Sequence, residues 1–64
     1  MYLKKLAKIR KERKLTQEGL ARKANISYHT LIKLENGGIK NPKAETIIKL
    51  AEALNVTTDR LLKG

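Results

Sequence analysis

The residue types that usually carry out catalysis are sparse in this 64-residue chain. It has one histidine, His29, and no cysteine, and its six carboxylates are scattered at spacings typical of solvated helix surfaces. It has no glycine-rich phosphate loop followed by Lys and Ser or Thr. A single histidine without cysteine is also a poor set of metal ligands. We therefore expect no enzyme, no catalytic residue, no metal site and no cofactor.

Basic side chains are the abundant functional groups. Lys and Arg number 15 against 6 Asp and Glu, which gives a formal net charge of +9. Residues 1–43 hold 12 of the basic and 3 of the acidic residues, whereas residues 44–64 hold 3 of each. The excess charge therefore lies in the first two thirds of the chain. Such a field attracts a polyanion, with nucleic acid the first expectation and an anionic membrane surface the second.

The elements that position these side chains are predicted to be helices. Apolar residues recur at helical spacing, as in Leu3, Leu6 and Ile9, while β-branched residues nowhere alternate over four positions. Five helices are expected, over residues 2–13, 17–24, 28–36, 42–54 and from 58 onward. The pattern predicts a single all-α domain over residues 1–64, with connections of a few residues.

The helix ends are predicted from their capping residues. Thr16, Ser27 and Thr57 are expected N-caps, and each follows an apolar residue that would pack one turn into the helix. Asn25 suits the left-handed residue after a helix, as does its counterpart at position 55. Pro42 is expected to open the fourth helix, because proline is favoured at the first helical position.

The connection between the second and third helices is only Ala24–Ser27. So short a turn between two short helices forces them to cross steeply, which is the geometry of a helix-turn-helix. We expect this unit over about residues 16–36. Ile26 and Leu31 would then face the core.

Several motifs follow one another in an informative order: Leu15-Thr16-Gln17-Glu18-Gly19-Leu20-Ala21, Ile26-Ser27, Leu34-Glu35-Asn36-Gly37, Asn41-Pro42 and Leu50-Ala51-Glu52-Ala53-Leu54. Over residues 2–63 the chain resembles the Cro/cI-type (XRE family) DNA-binding domain of phage repressors. The resemblance implies a compact five-helix lambda-repressor-like fold and a transcriptional regulator, expected to be repressor-like, whose third helix reads the major groove. Gly19 replaces the family's usual Glu, Asn25 its usual turn Gly, and Lys43 a common capping Ser.

The candidate base-reading residues lie on the third helix. With Leu31 at the centre of the buried face, His29 and Lys33 fall near the opposite side at 100° per residue. Tyr28 lies at the N-terminal tip, and Thr30 and Ile32 flank this face as secondary candidates. Lysine donates to guanine O6 or N7, and isoleucine packs on the thymine methyl group. The alternative is an ordinary solvated helix face.

Candidate phosphate contacts lie at Gln17, whose family counterpart contacts the DNA backbone, and around the loop before the fourth helix, at Asn36, Lys40 and Lys43. The alternative for the loop lysines is that they serve solubility alone.

Arg10 and Glu35 interrupt apolar faces of their helices with opposite charges. A buried charge without a partner is costly, so we expect an ion pair that joins the first and third helices and orients the latter. The family often joins these positions. The rival interpretation extends Arg10 toward phosphate.

The expected partner is double-stranded DNA, as a palindromic operator bound by a homodimer, in the cytoplasm at the nucleoid. Leu61 and Leu62 are candidates for the dimer surface, with the domain's own core as the alternative. The chain could also act as a monomer, or precede a C-terminal sensing domain. Rival functions are an antitoxin or adaptor with the same fold, single-stranded RNA binding, and a membrane-surface helix at residues 3–14. With only two aromatic residues, base stacking on RNA is disfavoured.

Overall fold

The computed structural model describes residue 3 and residues 5–63. Its helices are α1 (Leu6–Glu12), α2 (Gln17–Ala24), α3 (Tyr28–Asn36), α4 (Ala44–Leu54) and α5 (Thr58–Lys63). The described residues contain no strand, and the predicted all-α, five-helix fold is confirmed, with α2 and α3 as the helix-turn-helix. Residues 1, 2, 4 and 64, which belong to the predicted domain and in part to its first helix, lie outside the described residues.

The core is built from leucines and alanines that all five helices contribute. α2 packs against both α3 and α4, α4 packs against α5, and α1 packs against α3. The buried apolar residues are Leu3, Leu6, Ile9, Leu20, Ala21, Ala24, Leu31, Leu34, Leu50, Ala51, Ala53, Leu54 and Leu61. In the described part of the chain, no helix combines the length and the apolar character needed to cross a bilayer.

Three of the four connections repeat one corner. In each, a residue with left-handed backbone is followed by a partly buried apolar residue and then by a hydroxyl that caps the next helix. The corners are Lys14-Leu15-Thr16 (φ 59° at Lys14), Asn25-Ile26-Ser27 (φ 58° at Asn25) and Asn55-Val56-Thr57 (φ 57° at Asn55). The predicted caps and the two predicted asparagine ends are therefore confirmed.

The hydrogen bonds of the corner fix its angle. At the α2–α3 corner the Ile26 N–H donates to the Ala21 carbonyl (2.9 Å) and the Asn25 N–H to the Arg22 carbonyl (3.2 Å). This is the Schellman pattern, in which the apolar residue after the left-handed one packs back on its helix. The Thr30 N–H then donates to Ser27 Oγ (3.1 Å), so α3 starts at once in a new direction.

The first helix is shorter than predicted. Lys5 has non-helical backbone (φ −94°, ψ 2°), and Leu3 lies before the helix in a turn closed by the Leu6 N–H and the Leu3 carbonyl (3.2 Å). The prediction of a helix from residue 2 was wrong. Apolar residues at regular spacing indicate burial, and Leu3 is buried from a turn that precedes the helix. Its C-terminal end is also earlier, at Glu12.

The fourth helix begins at Ala44 and not at Pro42. Lys43 has extended backbone (φ −68°, ψ 150°) and is the N-cap residue, without a side-chain capping bond. Proline's fixed φ of about −65° suits an extended segment as well as a helix, so Pro42 did not determine the start.

A buried polar network joins α1 to α3. Arg10 Nε lies 2.7 Å from Glu35 Oε2, Arg10 Nη2 lies 3.3 Å from Glu35 Oε1, and the two side chains are 10% and 7% exposed. Arg10 Nη1 donates to the Leu15 carbonyl at 2.8 Å, and Gln17 Nε2 donates to Glu35 Oε1 at 3.0 Å. The guanidinium and the carboxylate therefore hold α1, the corner after it, the start of α2 and α3 in one arrangement.

Replacing Lys14 by Gly should raise the free energy of unfolding by about 0.5–1 kcal/mol. The left-handed backbone costs a residue with a Cβ about 1–2 kcal/mol, and the greater freedom of glycine in the unfolded chain offsets about 0.4–1 kcal/mol of the gain. Urea unfolding measures the change. Lys11→Gly, which removes the same charge inside α1, should lower stability by about 1 kcal/mol. Loss of stability in both variants would contradict strain at Lys14.

Replacing Arg10 by Met should destabilise the fold by about 3–5 kcal/mol, because it leaves the Glu35 carboxylate buried without its cation. The double variant Arg10→Met/Glu35→Leu should recover most of that loss. The control is Arg60→Met, which breaks an exposed pair with Glu12 (3.1 Å, side chains 51% and 45% exposed) and should cost about 1 kcal/mol or less. Equal losses in Arg10→Met and Arg60→Met would show that burial of the first pair is unimportant.

Candidate nucleic-acid interface

The helix α3 has one buried and one exposed face. Leu31 and Leu34 are buried in the core, whereas Tyr28, His29 and Lys33 are exposed. The residues expected to face outward therefore lie at the surface, on a helix whose other side is fixed by α1 and α2.

The secondary candidates Thr30 and Ile32 lie half-buried beside this face. The Ser27 hydroxyl donates to Thr30 Oγ1 at 2.7 Å, so the first turn of α3 is tied by a side-chain bond as well as by the cap. The rings of Tyr28 and His29 are tilted by 52° with centroids 6.1 Å apart. The N-terminal end of α3 thus presents an aromatic pair on an ordered turn.

The loop after α3 turns sharply back on the helix. Gly37 has φ 85°, which glycine adopts without a steric cost. The Gly38 N–H donates to the Lys33 carbonyl (2.8 Å) and to Asn36 Oδ1 (2.9 Å). Ile39 then packs against the core. Asn36 is exposed, but its amide oxygen is already engaged within the loop.

Lys40 and Lys43 are exposed on the segment that follows. α3 and this segment meet in a cleft of about 350 Å³ lined by Thr30, Leu34, Ile39, Asn41, Pro42, Lys43 and Thr46. The structure therefore brings Lys43 next to the flank of α3. The uncapped first turn of α4 starts at the same place, and its free N–H groups carry a partial positive charge.

Gln17 has a partner that the sequence did not indicate. It is half-buried, and its amide nitrogen donates to Glu35 across 18 residues of sequence. The expectation placed it against phosphate; the structure places it against the carboxylate that holds α3. A glutamine at position 17 does not by itself indicate this contact, because Glu35 lies on another helix.

Of the two alternatives for Leu61, a dimer surface or the domain's own core, the structure favours the core. It is 1% exposed and belongs to the core, and Leu62 is partly buried and packs against it. The reason is the Asn55-Val56-Thr57 corner, which turns α5 back so that α5 lies against α4. Their alternative role as core residues accounts for both leucines.

Comparison with known proteins agrees with this geometry. The family described as helix-turn-helix matches residues 6–61. An uncharacterized HTH-type transcriptional regulator, YqaE of Bacillus subtilis (strain 168), is 38% identical over 64 residues, covering all of this chain and 54% of the relative. The HTH-type transcriptional repressor RghR of the same strain is 42% identical over 57 residues, covering 89% of this chain and 42% of the relative.

The regulator RghRB of that strain, also uncharacterized, is 44% identical over 57 residues. The chain spans about half or less of the length of these curated relatives. The match covers the α2–α3 corner, the exposed face of α3 and the loop before α4. The chain belongs to the helix-turn-helix family, of the Cro/cI (XRE) type.

Proposed function

We propose that this chain binds double-stranded DNA sequence-specifically as the DNA-binding domain of a transcriptional regulator, and that it acts as a repressor. The observation that carries the proposal is the two-faced helix α3: its apolar side is buried in the core, and its polar side is exposed from Tyr28 and His29 at the N-terminal end to Lys33 in the last turn. In a helix-turn-helix the second helix lies in the major groove, with its N-terminal residues on base edges. The name of RghR, a transcriptional repressor, supports the direction of regulation.

Base contacts are proposed for Tyr28, His29 and Lys33, with Thr30 and Ile32 at their flank. Among the described residues, Lys33 takes part in none of the ion pairs, which are Arg10–Glu35, Lys49–Glu45 and Arg60–Glu12. Its ammonium is therefore available to a ligand. The carboxylate of α3, Glu35, is held in the buried network by Arg10 and Gln17. The electrostatic field at the exposed face of α3 therefore favours the negatively charged DNA.

Phosphate contacts are proposed for Asn36, Lys40, Lys43 and the start of α4, with Gln17 acting through Glu35 and through its remaining polar atoms. Such contacts fix the position of the helix on the duplex and do not distinguish sequences. A domain of this size reads few base pairs, so two copies on a palindromic site are proposed. Because Leu61 is buried, the surface that joins the copies excludes it.

The decisive experiment selects bound sequences from a random duplex pool. The wild-type chain should enrich one recurring half-site in two-fold symmetric arrangement. The double variant His29→Ala/Lys33→Ala should lose that preference while unfolding at nearly the same urea concentration, because both side chains are exposed. If the double variant selects the same site as the wild type, α3 is not the reading element.

Replacing Lys43 by Ser should move stability and binding in opposite directions. A serine N-cap accepts a bond from the first turn of α4 and should add about 0.5–2 kcal/mol to the free energy of unfolding. Loss of one phosphate contact should weaken binding to all duplexes alike and reduce the slope of log K against log salt by about 0.9. Lys11→Gln removes an equal charge on α1 and should leave that slope nearly unchanged. Unchanged salt dependence in Lys43→Ser would remove Lys43 from the interface.

A further inference from the structure

The hydrogen-bonding groups around the exposed face of α3 divide into two sets. Side chains with acceptor oxygens are tied within the protein: Glu35 to Arg10 and Gln17, and Asn36 to the Gly38 N–H. Gln17 donates one amide hydrogen to Glu35. The Glu35 carboxylate and the Asn36 amide oxygen, the two acceptors of these types on α3, are therefore engaged within the protein.

The second set consists of donors and methyl groups. Lys33 is exposed and bears three N–H donors and no acceptor. Ile32 is half-buried on the flank of the same face. Thr30 lies on the other flank, and its hydroxyl accepts from Ser27. On α3 the carboxylate of Glu35 and the amide oxygen of Asn36 are both engaged within the protein.

The major groove distinguishes bases by these same groups. Adenine is read by a bidentate amide, and cytosine N4 by a carboxylate, whereas guanine offers two acceptors, O6 and N7, to lysine or arginine. Thymine offers its C5-methyl group to an apolar side chain. An exposed ammonium outside the ion pairs of the described residues, with an isoleucine beside it, matches guanine and thymine at the positions that Lys33 and Ile32 face.

We propose that the half-site read by α3 is specified directly by a guanine contacted by Lys33 and a neighbouring thymine contacted by Ile32. The proposal rests on the proposed function and specifies its ligand. Tyr28 and His29 can donate or accept, so the proposal concerns the two positions read by Lys33 and Ile32 and not those that Tyr28 and His29 contact.

The first test repeats the duplex selection with Lys33→Gln in the full chain. An amide reads adenine N6 and N7, so one position in each half-site should change from guanine to adenine, with a relative preference of about 10-fold. Glu18→Gln is the control, since Glu18 is an exposed carboxylate on α2 that lines a shallow cleft with Tyr28. It should tighten binding to all duplexes and leave the selected sequence unchanged.

The second test alters single atoms of the selected duplex. 7-Deazaguanine, which lacks the N7 acceptor, should weaken wild-type binding about 10-fold at the position that Lys33 reads and have little effect on Lys33→Gln. Deoxyuridine in place of thymine removes one methyl group and should weaken binding about 4-fold at one position. In Ile32→Ala, most of the difference in affinity between thymine and deoxyuridine should disappear.

The outcomes separate the two proposals. If Lys33→Gln weakens binding to all sequences equally, or if 7-deazaguanine has no position-specific effect, the guanine contact is overturned. Either result leaves sequence-specific DNA binding intact. A wild-type half-site whose Lys33-dependent position is adenine overturns the guanine contact as well. Failure of the wild-type chain to enrich any sequence overturns the proposed function itself.

Discussion

A guanidinium and a carboxylate that meet inside a 64-residue domain hold the helix that faces outward. Arg10 and Glu35 make two contacts, at 2.7 and 3.3 Å, in a place where neither side chain keeps much access to water. Burial makes each charge costly without a partner, so the two side chains are held together as a pair. Because the same carboxylate also accepts from Gln17, the angle of α3 is set by hydrogen bonds with direction as well as by apolar packing. The arrangement links the reading helix to three other segments of the chain.

The repeated corner supplies the rest of the geometry. A left-handed residue, a buried apolar residue and a hydroxyl cap end one helix and start the next within three positions. At Asn25 and Asn55 the residue type suits that backbone, since asparagine tolerates the left-handed region. At Lys14 it does not. The bond from the Leu15 N–H to the Arg10 carbonyl (3.1 Å) and the Arg10 bond to the Leu15 carbonyl impose the conformation there. The corner before α2 is therefore stabilised by its neighbours against its own residue preference.

These cases show what could be predicted from the sequence. Caps at Thr16, Ser27 and Thr57 follow from a local pattern, and the opposite charges of Arg10 and Glu35 on apolar faces indicate that burial requires a partner. The start of α4 was misplaced because proline fits both helix and extended chain. The contact between Gln17 and Glu35 depends on how two helices cross, and no local pattern encodes it. Leu61 was assigned ambiguously for the same reason: the burial of α5 depends on the corner that turns it back.

The use of acidic side chains connects stability with the proposed reading surface. Each of the three ion pairs in the described residues contains a glutamate: one pair lies in the core, one along α4 and one between α1 and α5. Of these glutamates only Glu35 lies on α3, and none of the three pairs includes Lys33 or Lys43. Lys43 also occupies the one N-cap, among those of α2, α3 and α4, without a capping bond. A serine there would stabilise the helix and remove a cation, so the lysine fits the phosphate contact proposed for it, at a cost to the stability of α4.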